Sequence, residues 1–194
     1  MEKLYGKKIN TAVFISGRGS NLRSLIKYYK KKNSPISIKL VVSNNPEAEG
    51  LIYAKRSKII KYITNFKNKN VSEKKLLKKL FKHKINLICL AGFMKILSKN
   101  FIKKFKKPIL NIHPSLLPKY KGLNTHKKVI KNKEKYSGST VHLVTEKLDS
   151  GKIILQKKIK ISKYDNEKTL EKKILKIEHK LYPKAIKKFL TSSF

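Results

Sequence analysis

The chain has 194 residues, of which 40% are hydrophobic, and we expect a single domain over residues 1–194 with flexible ends at 1–8 and 191–194. Its apolar stretches are too short for a membrane span, no signal peptide is evident, and Cys89 has no partner cysteine, so we expect a cytoplasmic protein. The net charge of +38 is almost entirely lysine, since arginine occurs only at positions 18, 23 and 56. Proteins that bind phosphate groups or nucleic-acid bases often use the bidentate guanidinium of arginine, which lysine lacks. We therefore interpret the charge as a solvated lysine surface rather than a nucleic-acid-binding surface.

Strand and helix patterns alternate through the first part of the sequence. The apolar run 10–16 predicts a strand, and helical spacing after the GRGSN loop predicts a helix capped by Ser20 or Asn21. Further strands are predicted over 36–43, 59–64, 85–90 and 108–112. Three further helices are predicted between these strands. One ends near residue 57, one spans 71–83 with Ser72 as a possible cap, and one spans 98–105.

The pattern changes after His126. Strands are predicted over 138–145 and 152–161, followed by a long helix from Asp165 that Pro183 kinks or divides before a last turn near Leu190. The whole pattern predicts an α/β fold. Its features are a mostly parallel Rossmann-like sheet with helices on both faces, C-terminal strands and a long C-terminal helix.

The segment 109–126, which reads ILNIHPSLLPKYKGLNTH, carries the clearest chemical signal. Asn111 and His113 are two residues apart, so they project from one face of a strand that Pro114 ends. Such strand ends are where α/β proteins usually bind ligands. The carboxamide can donate to a developing oxyanion, and the imidazole titrates near working pH. The alternative is a histidine that only makes local hydrogen bonds.

Three other features have both a functional and a plain structural interpretation. The GRGSN loop, with Gly17 and Gly19 before a helix N-terminus, suits either a phosphate site or an ordinary tight turn. Asp149 is either a turn acid or a partner of His113, whose pKa it would then raise. Glu178 is either a functional acid or a salt-bridge partner on a lysine-rich helix.

No metal site is predicted, because one cysteine and five scattered histidines form neither a CxxC nor an HxxxH pair. A nucleophilic triad is poorly supported, since no serine lies in a GxSxG elbow.

Five motifs run from about Ile9 to Leu190: FISGRGSNL, LAGFMKIL, NIHPSLLPKYKGLNTH, GSTVHLVTEKLDSGKIILQ and IEHKLYP. By these motifs the chain resembles the folate-dependent formyltransferases, and among them the phosphoribosylglycinamide formyltransferase family. The resemblance implies transfer of a formyl group from 10-formyltetrahydrofolate, a co-substrate, to the amine of 5'-phosphoribosylglycinamide in de novo purine biosynthesis.

The resemblance also implies a catalytic group formed by Asn111, His113 and Asp149. Asn111 and protonated His113 would stabilise the oxyanion of a tetrahedral intermediate. Asp149 would support the charged histidine and the movement of a proton to the leaving nitrogen.

The resemblance further implies two binding regions. The substrate ribonucleotide would contact Gly19, Ser20, Asn21 and Glu178, through its phosphate at the loop and its ribose hydroxyls at the acid. The folate would contact Lys69, Leu90, Met94, Lys95, Ile96, Leu97 and Asn111. Lys69 and Lys95 stand where the family commonly carries arginine, so we expect weaker folate binding. Arg18 stands in place of a smaller polar residue.

Two other enzymes with the same formyl chemistry are alternatives. Formyltetrahydrofolate hydrolase would transfer the group to water, and usually has an N-terminal regulatory domain that we do not expect here. Methionyl-tRNA formyltransferase needs a C-terminal tRNA-binding domain, for which we expect too few residues after Leu190. A basic nucleic-acid-binding module on the same scaffold is the third alternative. We expect small-molecule partners, no specific nucleic acid, no membrane, and a monomer or homodimer.

Overall fold

A computed structural model describes residues 8–30 and 34–192, and these residues contain seven strands and six helices. The chain divides into two compact units, Met1–Pro108 and Ile109–Phe194. Of the ends predicted to be flexible, residues 1–7, 193 and 194 lie outside the described residues. The single-domain organisation stays a prediction.

The first unit is built on four parallel strands. They are β1 (Ile9–Ile15), β2 (Ile36–Ser43), β3 (Ile60–Ile63) and β4 (Leu87–Leu90), in the spatial order β3-β2-β1-β4. β1, β2 and β4 are nearly continuous runs of buried apolar residues. This composition is typical of parallel strands covered on both faces.

The helices of the first unit are α1 (Ser20–Tyr29), α2 (Leu51–Arg56), α3 (Lys69–Lys82) and α4 (Lys99–Phe105). Both predicted caps are wrong. Gly19, in the left-handed conformation, occupies the N-cap of α1, and Asn68 caps α3 by accepting a hydrogen bond from the Val71 N–H. Ser72 is a buried residue inside α3. It does not cap the helix, because α3 begins at Lys69, earlier than the apolar spacing indicates.

The second unit contains three antiparallel strands, β5 (Ile109–His113), β6 (Tyr136–Leu143) and β7 (Ile153–Lys160). Its two helices are α5 (Thr125–Lys131) and α6 (Glu167–Ser192). Sequence periodicity did not predict α5, which has seven residues and buries only Thr125 and Val129. Val129 packs against Leu170 and Ile174 of α6, so tertiary contact stabilises this short helix.

Pro183 does not divide the long C-terminal helix, contrary to one of the two predicted outcomes. The helix continues to Ser192, and Pro183 is buried together with Leu181, Tyr182 and Ile186. The Tyr182 hydroxyl also donates to the Leu110 carbonyl at 2.9 Å. Burial and this hydrogen bond offset the backbone hydrogen bond that proline removes.

The predicted α/β class is confirmed by the strand and helix alternation, by the parallel strands and by the long C-terminal helix. None of the helices within residues 8–30 and 34–192 combines the length and the apolarity needed to cross a bilayer.

Candidate active site

Four polar side chains of the second unit meet beside β5. Asn111 lies directly opposite His142 in the pairing of β5 with β6, and His113 is the last residue of β5. Asp149 follows β6 in a turn and has a left-handed backbone, with φ of 44°. His113, His142 and Asp149 are buried, whereas Asn111 is half-buried. The structure therefore brings the three predicted catalytic residues together.

Asp149 contacts each of the other three side chains. Its Oδ2 atom lies 3.5 Å from His113 Nδ1, and its Oδ1 atom lies 3.4 Å from His142 Nε2. The Asn111 amide also approaches Oδ1, at 3.5 Å. The Gly122 backbone N–H donates to Oδ2 at 2.9 Å and holds the carboxylate in place. Asp149 is therefore a partner of His113 and not an ordinary turn acid.

The two ring nitrogens of His113 face different acceptors. Nε2 lies 2.8 Å from the Tyr120 carbonyl oxygen, so Nε2 carries a proton and donates it to that oxygen. Nδ1 faces the Asp149 carboxylate. In the neutral ring this arrangement leaves Nδ1 as the acceptor, and protonation of Nδ1 would create an ion pair with Asp149.

The expectation that the pKa of His113 is raised is wrong. Burial lowers this pKa, because the charged ring loses its hydration. The Tyr120 carbonyl and the Asp149 charge raise the pKa of His113, but their effect is smaller than that of burial. The charges of His142 and Lys128 lower this pKa further. The resting His113 is therefore mainly neutral at neutral pH.

Asp149 remains ionised although it is buried. Burial alone raises its pKa, but the contacts with His142 and with the Gly122 N–H, together with the positive charge that His113 and His142 carry when protonated, outweigh burial and lower the pKa below its ordinary value. The site thus combines a carboxylate with a neutral imidazole, which is a proton-accepting pair.

His142 is a member of the site that sequence reasoning missed. Its Nδ1 lies 2.8 Å from the Leu143 carbonyl oxygen, and its Nε2 faces both the Asn111 amide at 3.2 Å and Asp149 Oδ1 at 3.4 Å. His142 occurs in the quoted motif GSTVHLVTEKLDSGKIILQ, which was a signal for it. The pairing register of β5 with β6, which sequence does not show, places it opposite Asn111.

Glu178 is buried on α6 rather than exposed among the lysines of that helix, with 4% of its surface accessible. Its Oε1 atom lies 3.3 Å from the Ser139 hydroxyl, which is also 3.0 Å from the His113 carbonyl oxygen. Glu178 therefore does not face solvent on this helix. A buried carboxylate held by a strand hydroxyl suits the recognition of ligand hydroxyls.

The glycine loop of the first unit approaches a second backbone segment closely. Gly19 has φ of 68°, and a Cβ atom there would lie 2.5 Å from the Gly50 Cα atom. The Gly50 N–H donates to the Gly17 carbonyl at 3.0 Å. Ser20 and Asn21 then begin α1, so backbone N–H groups of the first helical turn directly follow the glycine loop.

The predicted folate residues lie in the first unit, apart from Asn111. Leu90 and Leu97 are buried, whereas Met94 and Ile96 are 59% and 64% exposed in the segment after β4. Lys95 and Lys69 are exposed, and Lys69 is the first residue of α3. Met94 and Ile96 therefore present apolar surface to solvent.

Ser16 holds this segment and was also missed. Its hydroxyl accepts a hydrogen bond from the Met94 N–H at 2.7 Å and donates to the Asn44 side-chain oxygen. The Ser16 N–H donates to the Gly92 carbonyl at 3.1 Å. These contacts join the end of β1 to the segment 92–94 and orient its backbone.

Comparisons with known proteins identify the family of the chain. The chain matches the family model described as formyl transferase over residues 9–186. It is 41% identical over 186 residues to the phosphoribosylglycinamide formyltransferase of Haemophilus influenzae, covering 94% of this chain and 87% of that protein. A solved phosphoribosylglycinamide formyltransferase from Brucella melitensis has a TM-score of 0.89 and 41% identity, covering 94% of this chain and 96% of that one.

The chain also matches longer proteins. It is 41% identical over 187 residues to a trifunctional purine biosynthetic protein of Gallus gallus, covering 95% of this chain and 19% of that protein. The chain thus spans about a fifth of the length of such relatives. The family match over most of the sequence, together with relatives of similar length above 30% identity, shows that the chain belongs to the formyl transferase family of enzymes.

Proposed function

We propose that this enzyme transfers a formyl group from 10-formyltetrahydrofolate to the amine of 5'-phosphoribosylglycinamide, a step of purine biosynthesis. The observation that carries the proposal is the cluster of Asn111, His113 and Asp149 at the end of β5. Its relatives of similar length bear the name of this activity.

The substrate amine attacks the formyl carbon, and the formyl oxygen becomes an oxyanion. Asn111 stabilises the oxyanion by donating an amide N–H to it. This amide lies 3.2 Å from His142 Nε2 and 3.5 Å from Asp149 Oδ1, and such long contacts let it redirect a hydrogen at small cost. One prepositioned donor of this kind contributes about 3 kcal/mol to transition-state stability.

His113 and Asp149 act as the proton-accepting pair. The attacking nitrogen loses a proton, which is held between His113 Nδ1 and the carboxylate that faces it at 3.5 Å. The imidazolium formed in this way then offsets the charge of the oxyanion. When the bond between the formyl carbon and the folate nitrogen breaks, the proton passes to that leaving nitrogen. The products are the formylated amine and tetrahydrofolate, and the enzyme keeps its initial protonation.

Binding of the ribonucleotide is assigned to two groups. The backbone N–H groups at Gly19, Ser20 and Asn21 bind the phosphate, because a helix N-terminus preceded by glycine favours an anion. Glu178 accepts hydrogen bonds from the ribose hydroxyls. Its buried carboxylate near Ser139 supports this role.

Binding of the folate is assigned to the segment after β4 and to Lys69. Met94 and Ile96 supply exposed apolar surface for the flat heterocycle, and buried Leu90 and Leu97 support the segment. Lys69 and Lys95 supply positive charge for the folate carboxylates. Lysine makes a single-point contact there, so the folate KM is expected to be higher than with arginine at these positions.

The test is a formyl-transfer assay on the purified chain with both substrates, together with a control that lacks the ribonucleotide. Tetrahydrofolate release that requires the ribonucleotide supports the proposal. Release at the same rate in the control identifies a hydrolase instead. No release from protein that is folded by circular dichroism overturns the proposed transfer.

A further inference from the structure

Tyr120 contacts the catalytic cluster through its backbone. Its carbonyl oxygen is the acceptor that lies 2.8 Å from His113 Nε2. Tyr120 also has a left-handed backbone, with φ of 57°, which is unfavourable for a residue with a bulky side chain. Such a conformation persists where surrounding contacts hold it, and it is often found at functional sites.

The side chain of Tyr120 supplies those contacts. Its hydroxyl donates to Glu134 Oε1 at 2.8 Å and accepts from the Asn132 amide at 2.9 Å. Lys119 also donates to Glu134 Oε1, at 3.0 Å, so the carboxylate is itself held. The Tyr120 ring packs against the cluster of buried residues Val129, Leu170 and Ile174. The ring and the hydroxyl therefore fix both ends of this side chain.

The loop that carries Tyr120 is also closed on itself. The Ser115 hydroxyl donates to the Lys119 carbonyl at 2.7 Å, and the Lys119 N–H donates to the Leu116 carbonyl at 3.0 Å. The peptide that follows Lys119 therefore has little freedom. The remaining rotation at Tyr120 is restricted by its anchored side chain.

We propose that Tyr120 is a positioning residue for the transfer reaction. Glu134 and Asn132 hold its phenol, and the phenol holds its carbonyl where it keeps the His113 proton on Nε2 and leaves Nδ1 to Asp149. The catalytic consequence rests on the proposed function, in which Nδ1 is the proton acceptor. The tautomer of His113 does not depend on that function.

Among the residues that the structure describes, the other charged or titratable groups that act on His113 include these four: Asp149, His142, Lys128 and His126. Loss of the Tyr120 carbonyl contact lowers the pKa of His113, since that contact favours the charged ring. A substitution of the Tyr120 phenol leaves all four groups unchanged. A change in the His113 titration would therefore report on the carbonyl.

The experiment compares Tyr120→Phe and Glu134→Ala with wild type. Tyr120→Phe removes only the hydroxyl, and Glu134→Ala removes its acceptor. The matched control is Tyr164→Phe, because Tyr164 is 80% exposed. Glu134→Gln tests rescue, since its amide oxygen can still accept from the phenol. The readouts are the ¹⁵N NMR signals of the His113 ring, which distinguish the two tautomers, and the pH profile of kcat/KM.

We expect both disruptive variants to increase the Nδ1–H tautomer of His113 and to lower kcat about fivefold to tenfold, the fold-change of one hydrogen bond. The acid limb of the pH profile should move to lower pH. Glu134→Gln and Tyr164→Phe should behave as wild type. An unchanged His113 tautomer in both folded disruptive variants would overturn the proposal. Absence of transfer by wild type would instead overturn the proposed function, and the NMR comparison would still decide the role of Tyr120.

Discussion

His113 is buried, yet each of its ring nitrogens faces an oxygen acceptor. The acceptors favour a charged ring, whereas the loss of hydration favours a neutral one, and the loss of hydration dominates. A neutral ring beside a carboxylate is prepared to accept a proton and to stabilise the resulting charge. The balance therefore matches the step in which the attacking amine loses its proton.

Replacement of His113 or Asn111 by alanine is expected to remove most of the activity. Each variant deletes a group that acts on the intermediate, and loss of one such group lowers kcat by about 10²–10³-fold. The measurement is kcat with both substrates at saturation. His113→Ala should keep its circular dichroism spectrum, because the residue lies at the end of β5. Turnover near that of wild type in either variant would contradict the mechanism.

Asp149→Asn tests the carboxylate through pH. Asparagine tolerates the left-handed backbone at this position, so the fold should be kept. The negative charge of Asp149 raises the pKa of His113, and its removal should lower that pKa further. Activity in the acid range requires neutral His113, so the acid limb of kcat/KM should move to lower pH, with kcat reduced by about 10²-fold or more. An unmoved limb would exclude the pairing of Asp149 with His113.

Two of these residues show the limit of reasoning from single positions. The chain spacing of Asp149 and Glu178 left a functional and a plain structural interpretation open for each. The structure favours the functional interpretation through distance and burial: Asp149 lies 3.5 Å from His113, and only 4% of the Glu178 surface is accessible. His142 had no assigned role, since only strand register sets it opposite Asn111.

At the scale of elements, the turn between β1 and α1 contains two glycines, of which only Gly19 is in a position that excludes a side chain. Gly19 combines a left-handed backbone with a close approach to Gly50, whereas a Cβ atom at Gly17 would meet nothing within 4 Å. We expect Gly19→Ala to cost about 2–3 kcal/mol of unfolding free energy and to lower Tm by roughly 5–10 °C.

Gly17→Ala is the matched control for that substitution, measured by thermal unfolding and by the KM for the ribonucleotide. Its Tm should stay within about 2 °C of wild type. Equal destabilisation by the two variants would show that chain flexibility, and not the contact between Gly19 and Gly50, governs this turn.

Helix starts were predicted less well than helix positions. The apolar spacing that defines α1 and α3 reports which face is buried, but it does not identify the residue before the first turn. Gly19 and Asn68 serve as N-caps where Ser20, Asn21 and Ser72 were expected. Short α5 was not predicted, since its stability comes from packing against α6.

At the scale of the whole molecule, the net charge of +38 should affect substrate capture. Both proposed substrates are anions, and a positive protein attracts them over about a Debye length, near 10 Å at 0.1 M salt. We expect kcat/KM for the ribonucleotide to fall at least threefold between about 50 and 300 mM salt, with kcat nearly unchanged. Sucrose at matched osmolality is the control. A kcat/KM that is independent of salt would show that the lysine surface does not steer substrate.

Stability should also depend on pH. Burial lowers the pKa of His113 and of His126, so below the ordinary histidine pKa of about 6.5 the unfolded chain binds more protons than the folded chain. The stabilisation is present above that pH and is lost as pH falls toward the folded-state values. Urea unfolding should therefore give a smaller free energy at about pH 5.5 than at about pH 7.5. A free energy of unfolding that stays constant over this pH range would contradict the lowered pKa values of His113 and His126.

The sequence by itself determined the α/β class, most strand and helix positions, and the residues Asn111, His113 and Asp149 as the catalytic candidates. These follow from local periodicity, from turn residues and from motif resemblance, all of which are properties of short segments. Only the tertiary structure shows the direction in which the pKa of His113 moves, the position of His142 opposite Asn111 and the contact of the Tyr120 carbonyl with His113. Burial, strand register and hydrogen bonds between distant residues set pKa values and tautomers, and none of these can be read from adjacent positions in the chain.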